Sequence, residues 1–137
     1  MIEQYSNSEP GYKPILIRDG WQVGHLNSMP QLDAESITQV ERHRLTDEAF
    51  ILFQGASILV TAGEGPAGLR FEAARMKPGI TYNIPAGTWH NIAMVPGDVV
   101  IIVEKDNTHL RDVEYRNFTP LEQENWSRTL SQALLIQ

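Results

Sequence analysis

The chain has 137 residues, 42% hydrophobic and 20% charged, with 17 acidic against 11 basic residues and a formal net charge of −6. That length suits one domain built on one core, and the acidic balance speaks against nucleic acid or an anionic membrane surface, which reward clustered Lys and Arg. Cysteine is absent, so disulfides and thiolate chemistry are excluded and any bound metal must use His, Asp or Glu.

The opening stretch "MIEQYSNSEPGYKP" has no basic segment followed by an apolar run. It is therefore not read as a secretory signal, and a cytoplasmic location is the expectation. The apolar runs "AFILF" and "VVIIV" are far shorter than the roughly 20 residues a spanning helix requires. Up to Phe118, turn clusters such as "RDG", "NSMP", "LTDE", "KPG", "PAG" and "VPGD" separate short runs of strand character, among them "ITQVERHR", "LRFEAARM" and "DVVIIVE". Many short strands between Gly, Pro and Asp turns predict an all-β sandwich, jelly roll or barrel, with its core over about residues 15–118. "AGEGPAG" reads as a long, flexible hairpin connection.

The character changes at "TPLEQENWSRTLSQALLIQ". Thr119 as N-cap, Pro120 at the first helical position and Glu122 three after the cap predict a helix over about 120–135. Leu121, Trp126, Leu130 and Leu134 would form its apolar stripe, packed on the outside of the barrel or on a second subunit. With neither linker nor repeat visible, residues 1–137 are expected to form a single domain.

The chemistry concentrates in two places. In "TQVERHRLTDEAFILFQG", residues 38–55, strand alternation puts Gln39, Glu41 and His43 on one face, and Glu48 opens the next strand. Glu and His facing a core must be paired, hydrogen-bonded or coordinated, because a lone buried charge costs at least several kcal/mol. In "GITYNIPAGTWH", residues 79–90, the Pro85-Ala86-Gly87 bend is expected to turn His90 inward to meet them. His25 and His109 fit neither pattern and read as structural or exposed; Arg70, Arg75 and Lys77 read as a solvated face.

These two stretches resemble the paired motifs of the cupins. His, four residues, Glu, six residues and Gly matches His43, Glu48 and Gly55; Gly, five residues, Pro, one residue, Gly, two residues and His matches Gly79, Pro85, Gly87 and His90. The resemblance implies a cupin-type double-stranded β-helix, or jelly-roll barrel, with His43, Glu48, His90 and Glu41 around a divalent metal. That donor set suits Zn, Mn, Fe or Ni. No organic cofactor is implied. Two positions differ: Glu41 stands where cupins usually carry a first His, and Met94 where the second motif usually ends in Asn.

A narrower likeness runs over about residues 40–107. "VERHRLTDEAFILFQG", "PGITYNIPAGTWHN" and "MVPGDVVIIVEKDN" are similar to segments of ureidoglycolate lyases, with Glu48 standing where those enzymes tend to have Gln. Carried over are Glu41, His43, Gly87 and His90, with Tyr82 and Trp89 as substrate-pocket wall. The resemblance implies a carbon–nitrogen lyase that splits a carbinolamine into glyoxylate and urea. Such chemistry needs a base, an acid and a positive group near the developing carbonyl. Glu41, His43, Glu48 and His90 are the catalytic candidates, with the division of labour between the carboxylates open; a metal-free His/Glu pair could supply acid and base as well. The alternative is a non-catalytic cupin module binding a sugar or small acid. A homodimer is expected in either case, since small barrels tend to cover apolar edge strands.

Overall fold

A computed structural model describes residues 1–135. Ten strands form two five-stranded antiparallel sheets. The first runs in the order β1 (Gly11–Arg18), β2 (Trp21–Asn27), β9 (Val99–Glu104), β4 (Glu48–Gln54) and β7 (Thr81–Ile84). The second runs β10 (Glu114–Asn117), β3 (Gln39–Arg42), β8 (Trp89–Ala93), β5 (Ile58–Gly65) and β6 (Gly68–Arg75). A short helix, α1 (Thr108–Arg111), precedes β10, and α2 (Pro120–Leu135) ends the described chain.

Period-two burial explains how the sheets meet. β9 and β4 bury every second residue, so Val100 and Ile102 join Phe50 and Leu52 on one inner face. Leu59 and Ile92 oppose them from the second sheet in a single cluster. The same alternation carries two carboxylates inward, Glu48 at the start of β4 and Glu104 at the end of β9, 5% and 6% exposed. The first strand begins at Gly11, earlier than residue 15. It accommodates Pro14 because β1 is a sheet edge with a register shift between Pro14 and Leu16, where proline's missing N–H is tolerated.

Gly55 closes β4 at a φ of +96°, and a Cβ there would lie 2.0 Å from Asp98 Oδ1. That carboxylate fills the turn, accepting bonds from Ala56 N, Ser57 Oγ and Val95 N. "AGEGPAG" is not a long loop. β5 runs through Gly65 and β6 resumes at Gly68, leaving only Pro66 and Ala67 between them.

α2 lies against the second sheet, with Trp126, Leu130 and Ala133 packed on Ile58, Val60 and Ala93. The capping box forms as expected: Thr119 Oγ1 accepts from Glu122 N and the Glu122 carboxylate accepts from Thr119 N. The apolar stripe differs from the expected one. Leu121 and Leu134 are exposed, and the buried line is Glu122, Trp126, Leu130 and Ala133. Glu122 takes the place of a hydrophobe because its carboxylate is fully used, accepting from Arg116 and from Leu69 N as well as Thr119 N. Gly68 leaves room for it: a Cβ would stand 2.7 Å from Glu122 Oε2. No helix among the described residues is long and apolar enough to cross a membrane.

Burial alone would raise the Glu122 carboxyl, but Arg116 and the two amides outweigh it and hold the group down to about 2, against an ordinary 4.5. A carboxylate lowered in the folded state contributes stability above its unfolded value and loses it as pH falls through the folded one. Glu122→Gln is therefore expected to cost about 2–3 kcal/mol above pH 4.5. In denaturant titrations its gap from the parent protein should close as pH falls towards 2.

Candidate active site

The two motif stretches are tied together by backbone contacts before any side chain meets another. Gly87 N donates to His43 O, and Ala86 N donates to the Asp47 carboxylate, which also accepts from Asn83. The Pro85-Ala86-Gly87 bend is thus anchored on the loop between β3 and β4. Asp112 secures the same loop from the far side, accepting Arg44 N and Leu45 N on its carboxylate.

This frame brings His43, Glu48 and His90 together. Glu48 Oε2 lies 3.0 Å from His43 Nε2 and 2.7 Å from His90 Nε2. Each imidazole turns its other nitrogen to a carbonyl, His43 Nδ1 to Asp112 O at 2.6 Å and His90 Nδ1 to Thr88 O at 2.9 Å. Nδ1 therefore carries the proton in both rings, and both Nε2 atoms face the carboxylate. A neutral Nε2 presents a lone pair, which a carboxylate oxygen repels, so the cluster requires a cation between its atoms: protons or a metal. The contact at His90 lacks hydrogen-bond alignment, and Glu48 Oε2 and His90 Nε2 are both buried without a hydrogen-bond partner.

The donor set fits a divalent ion. Ligands held about 2.1 Å from one octahedral ion stand roughly 3 Å apart, close to the 3.0 Å and 2.7 Å that separate Glu48 Oε2 from the two imidazole nitrogens. A second carbonyl or carboxylate partner on each imidazole is the usual outer support of a metal-binding histidine. Glu41 lies opposite His90 in the β3–β8 register, and one of its oxygens is within 4.8 Å of ligand atoms of both His43 and His90. Burial raises its carboxyl, and it receives no hydrogen bond from the described residues.

Charge within the cluster is strongly redistributed. Burial would lower the His43 imidazole, yet the Glu48 carboxylate outweighs it and pushes it up to about 9. His90 moves up for the same reasons. Burial would raise Glu48, but the two imidazoles hold it down to about 2. A divalent ion taking these positions displaces the protons that otherwise keep the cluster together.

The cluster stands in the wall of a cavity of about 550 Å³. Beside it, on the neighbouring strand β9, lies a second polar group, with a Glu104 carboxylate oxygen within 4.8 Å of ligand atoms of both His43 and Glu48. Tyr12 donates to Glu104 Oε2 at 2.5 Å and Gln22 Nε2 donates to the same oxygen at 3.1 Å, leaving Glu104 Oε1 buried without a hydrogen-bond partner. His109 Nδ1 lies 3.3 Å from Gln22 Nε2 and completes the group. Burial first, then the charge of Glu48, raises Glu104 to about 7 despite those two bonds. Tyr12 is raised well above its ordinary value by burial and by Glu104. Sequence reasoning missed Glu104, Tyr12 and Gln22 and placed His109 outside the site. Glu104 had a signal, since alternation along "VVIIVE" sends it inward with Val100 and Ile102; Tyr12, Gln22 and His109 had none, because only sheet pairing brings them together.

Two expected wall residues lie elsewhere. Trp89 precedes His90 on β8, so it faces the opposite side of the sheet. It packs there with Val40, Ala62 and Leu69 under the Arg42 guanidinium, 4.1 Å from the ring centroid. Tyr82 packs on the inner core but does not line the cavity; its hydroxyl accepts from Lys77 N. Arg70, Arg75 and Lys77 do not line it either, and no Lys or Arg does.

No family model and no curated protein matches the chain. Solved structures do. KdgF from Halomonas sp. aligns at 21% identity and a TM-score of 0.52, over 77% of this chain and 87% of that one. CapF, solved with the inhibitor 3-isopropenyl-tropolone, aligns at 18% and 0.58 over 84% of this chain but 34% of its own. The DMSP lyase DddQ from Ruegeria pomeroyi aligns at 13% and 0.50, over 71% and 43%. The fold is that of the cupins. At these identities the likeness is one of architecture, and the chemistry rests on this chain's own side chains.

Protein purified without chelator or nickel resin should carry a stoichiometric divalent metal by elemental analysis. The His43→Ala, His90→Ala double variant is expected to lose it while keeping a β-sheet circular dichroism spectrum.

Proposed function

We propose that this cupin is a metal-assisted lyase acting on a small hydroxylated acid, with ureidoglycolate as the first substrate to test. The observation that carries the reading is the meeting of two imidazole nitrogens and one carboxylate, with a lone carboxylate oxygen, Glu104 Oε1, facing the same cavity. Sequence likeness to ureidoglycolate lyases supports the substrate class, and DddQ, of the same fold, is a DMSP lyase.

The division of labour follows from hydrogen bonding. Glu104 is stabilised as a carboxylate on Oε2 by Tyr12 and Gln22, so its free Oε1 suits a base that takes the hydroxyl proton of a carbinolamine. Glu41, half-buried and receiving no hydrogen bond from the described residues, has its carboxyl raised by desolvation and suits the acid that protonates the departing nitrogen. Loss of the hydroxyl proton forms the carbonyl as the carbon–nitrogen bond breaks, and the nitrogen leaves with a proton as urea. A divalent ion on His43, Glu48 and His90 would polarise the substrate's oxygens as a Lewis acid. With no Lys or Arg in the cavity wall, the substrate carboxylate has no other cation to meet than that ion or the two imidazoles.

The purified protein, loaded in turn with Mn, Fe, Ni and Zn, should release glyoxylate from ureidoglycolate; no release with or without metal rejects this substrate. Glu104→Gln is expected to lower turnover by about 10²-fold or more with metal content unchanged. Loss of metal in that variant would make Glu104 a ligand instead of a base.

A further inference from the structure

We infer that the cavity holds an apolar compartment beside its charged cluster, and that the acid taken by this site carries a short hydrocarbon chain on the carbon bearing the hydroxyl. The inference rests on the proposed reading for one point, that the acid group sits at the cluster. Size is the first observation. A cavity of about 550 Å³ lies in the range, on the order of 300–1,000 Å³, that encloses a drug-sized ligand. Ureidoglycolate is much smaller and would leave much of that space unfilled.

Strand alternation decides what lines the rest. On β4, β9 and β8 the inward residues two positions from Glu48, Glu104 and His90 are Phe50, Ile102 and Ile92, and all three border the cavity. This apolar row lies about 6.7 Å along the strands from the charged one, a rise that a chain of roughly five carbons spans. Gly24 is the β2 member of the row, opposite Ile102, and a Cβ there would stand 2.2 Å from Tyr12 Cε1. The Tyr12 ring fills the place of the missing side chain and carries its hydroxyl on to Glu104. Leu26 extends the apolar wall along β2, and Met29 and Leu32 join it from the segment between β2 and β3. Leu32 packs on the core cluster that holds Leu26, Phe50, Ile92 and Ile102. Its carbonyl accepts from Met94 N just beyond β8, which pins the segment there.

The polar residues at this end are already engaged or exposed. Asn91 uses both sides of its amide, donating to Gln39 O and accepting from Ile92 N; Gln31, Ser36 and Thr38 are exposed. Among the described residues, the buried side-chain atoms without a hydrogen-bond partner are Glu48 Oε2, His90 Nε2 and Glu104 Oε1, all at the charged end. One end of the cavity therefore calls for a charged or polar group, and the other gains only by covering hydrocarbon.

Titration calorimetry on the zinc-loaded protein, with glycolate, lactate and the homologues bearing ethyl, butyl and hexyl chains, tests this. Affinity should rise about fourfold per added methylene until the compartment is full. Leu32→Trp, which occupies the compartment, should flatten that rise while keeping the parent's circular dichroism spectrum. Met29→Trp, at another half-buried position of the same segment, is the second filling variant should Leu32→Trp not fold. Affinity that does not grow with chain length, no measurable binding by the hexyl homologue, or a rise untouched by either folded variant overturns the inference. Glyoxylate release from ureidoglycolate is scored separately. Release with a flat series keeps the proposed reaction and removes the compartment, whereas a rising series without release keeps the compartment and removes that substrate.

Discussion

The site depends on one crowded meeting, a carboxylate oxygen buried between two imidazole nitrogens. Burying three ionisable groups together is costly unless each is paired, and here the pairing is completed from outside by two backbone carbonyls. Asp112 O and Thr88 O fix the ring orientations, and the loop and bend that present them are tied to each other through Asp47 and the Gly87 amide. The sheets supply the distance; the turns supply the aim. That is why the first and second motif stretches, far apart in sequence, behave as one structural unit.

Alternation accounts for most of what was legible beforehand. Glu41 and His43 share a face of β3, Glu48 begins β4 inward, and the Pro85-Ala86-Gly87 bend delivers His90 to the same place, all features a local pattern can carry. The capping box at Thr119 is equally local. What escaped was set by tertiary context. Trp89 looked like pocket wall because it adjoins His90, yet adjacency on a strand means opposite faces. Leu121 and Leu134 looked like core because they are leucines, yet a carboxylate with four donors displaced them from the buried line of α2. Tyr12, Gln22 and His109 were invisible as a group because β1, β2 and α1 are joined only by the sheet order.

Replacement of a neutral first-motif histidine by Glu41 changes the charge of the cavity more than its shape. With Glu41, Glu48 and Glu104 around one cavity and no Lys or Arg in its wall, the carboxylates are balanced without a metal only by protons, above all on the His43 and His90 imidazoles that Glu48 pushes up. Glu104 is raised to about 7 by burial and by Glu48, while Glu41 is raised by burial. A divalent cation would make the local potential more positive and favour ionised carboxylates around it. Such an ion would therefore govern two properties at once, whether an anionic substrate can approach and whether the Glu104 carboxylate stands ready to take a proton.

The division of the molecule into two unlike sheets follows the same economy of polar groups. Each sheet presents one face to the cavity, where polar residues are tolerated only because they satisfy one another, and one face outward. On the second sheet the outward face is closed by α2, held at its start by Glu122 and Arg116. On the first, the strands that carry Glu48 and Glu104 inward carry Ile51 and Val103 outward, since alternate residues of one strand cannot share a face. Because β4 and β9 pair directly, these two strands hold the two carboxylates side by side at the cavity.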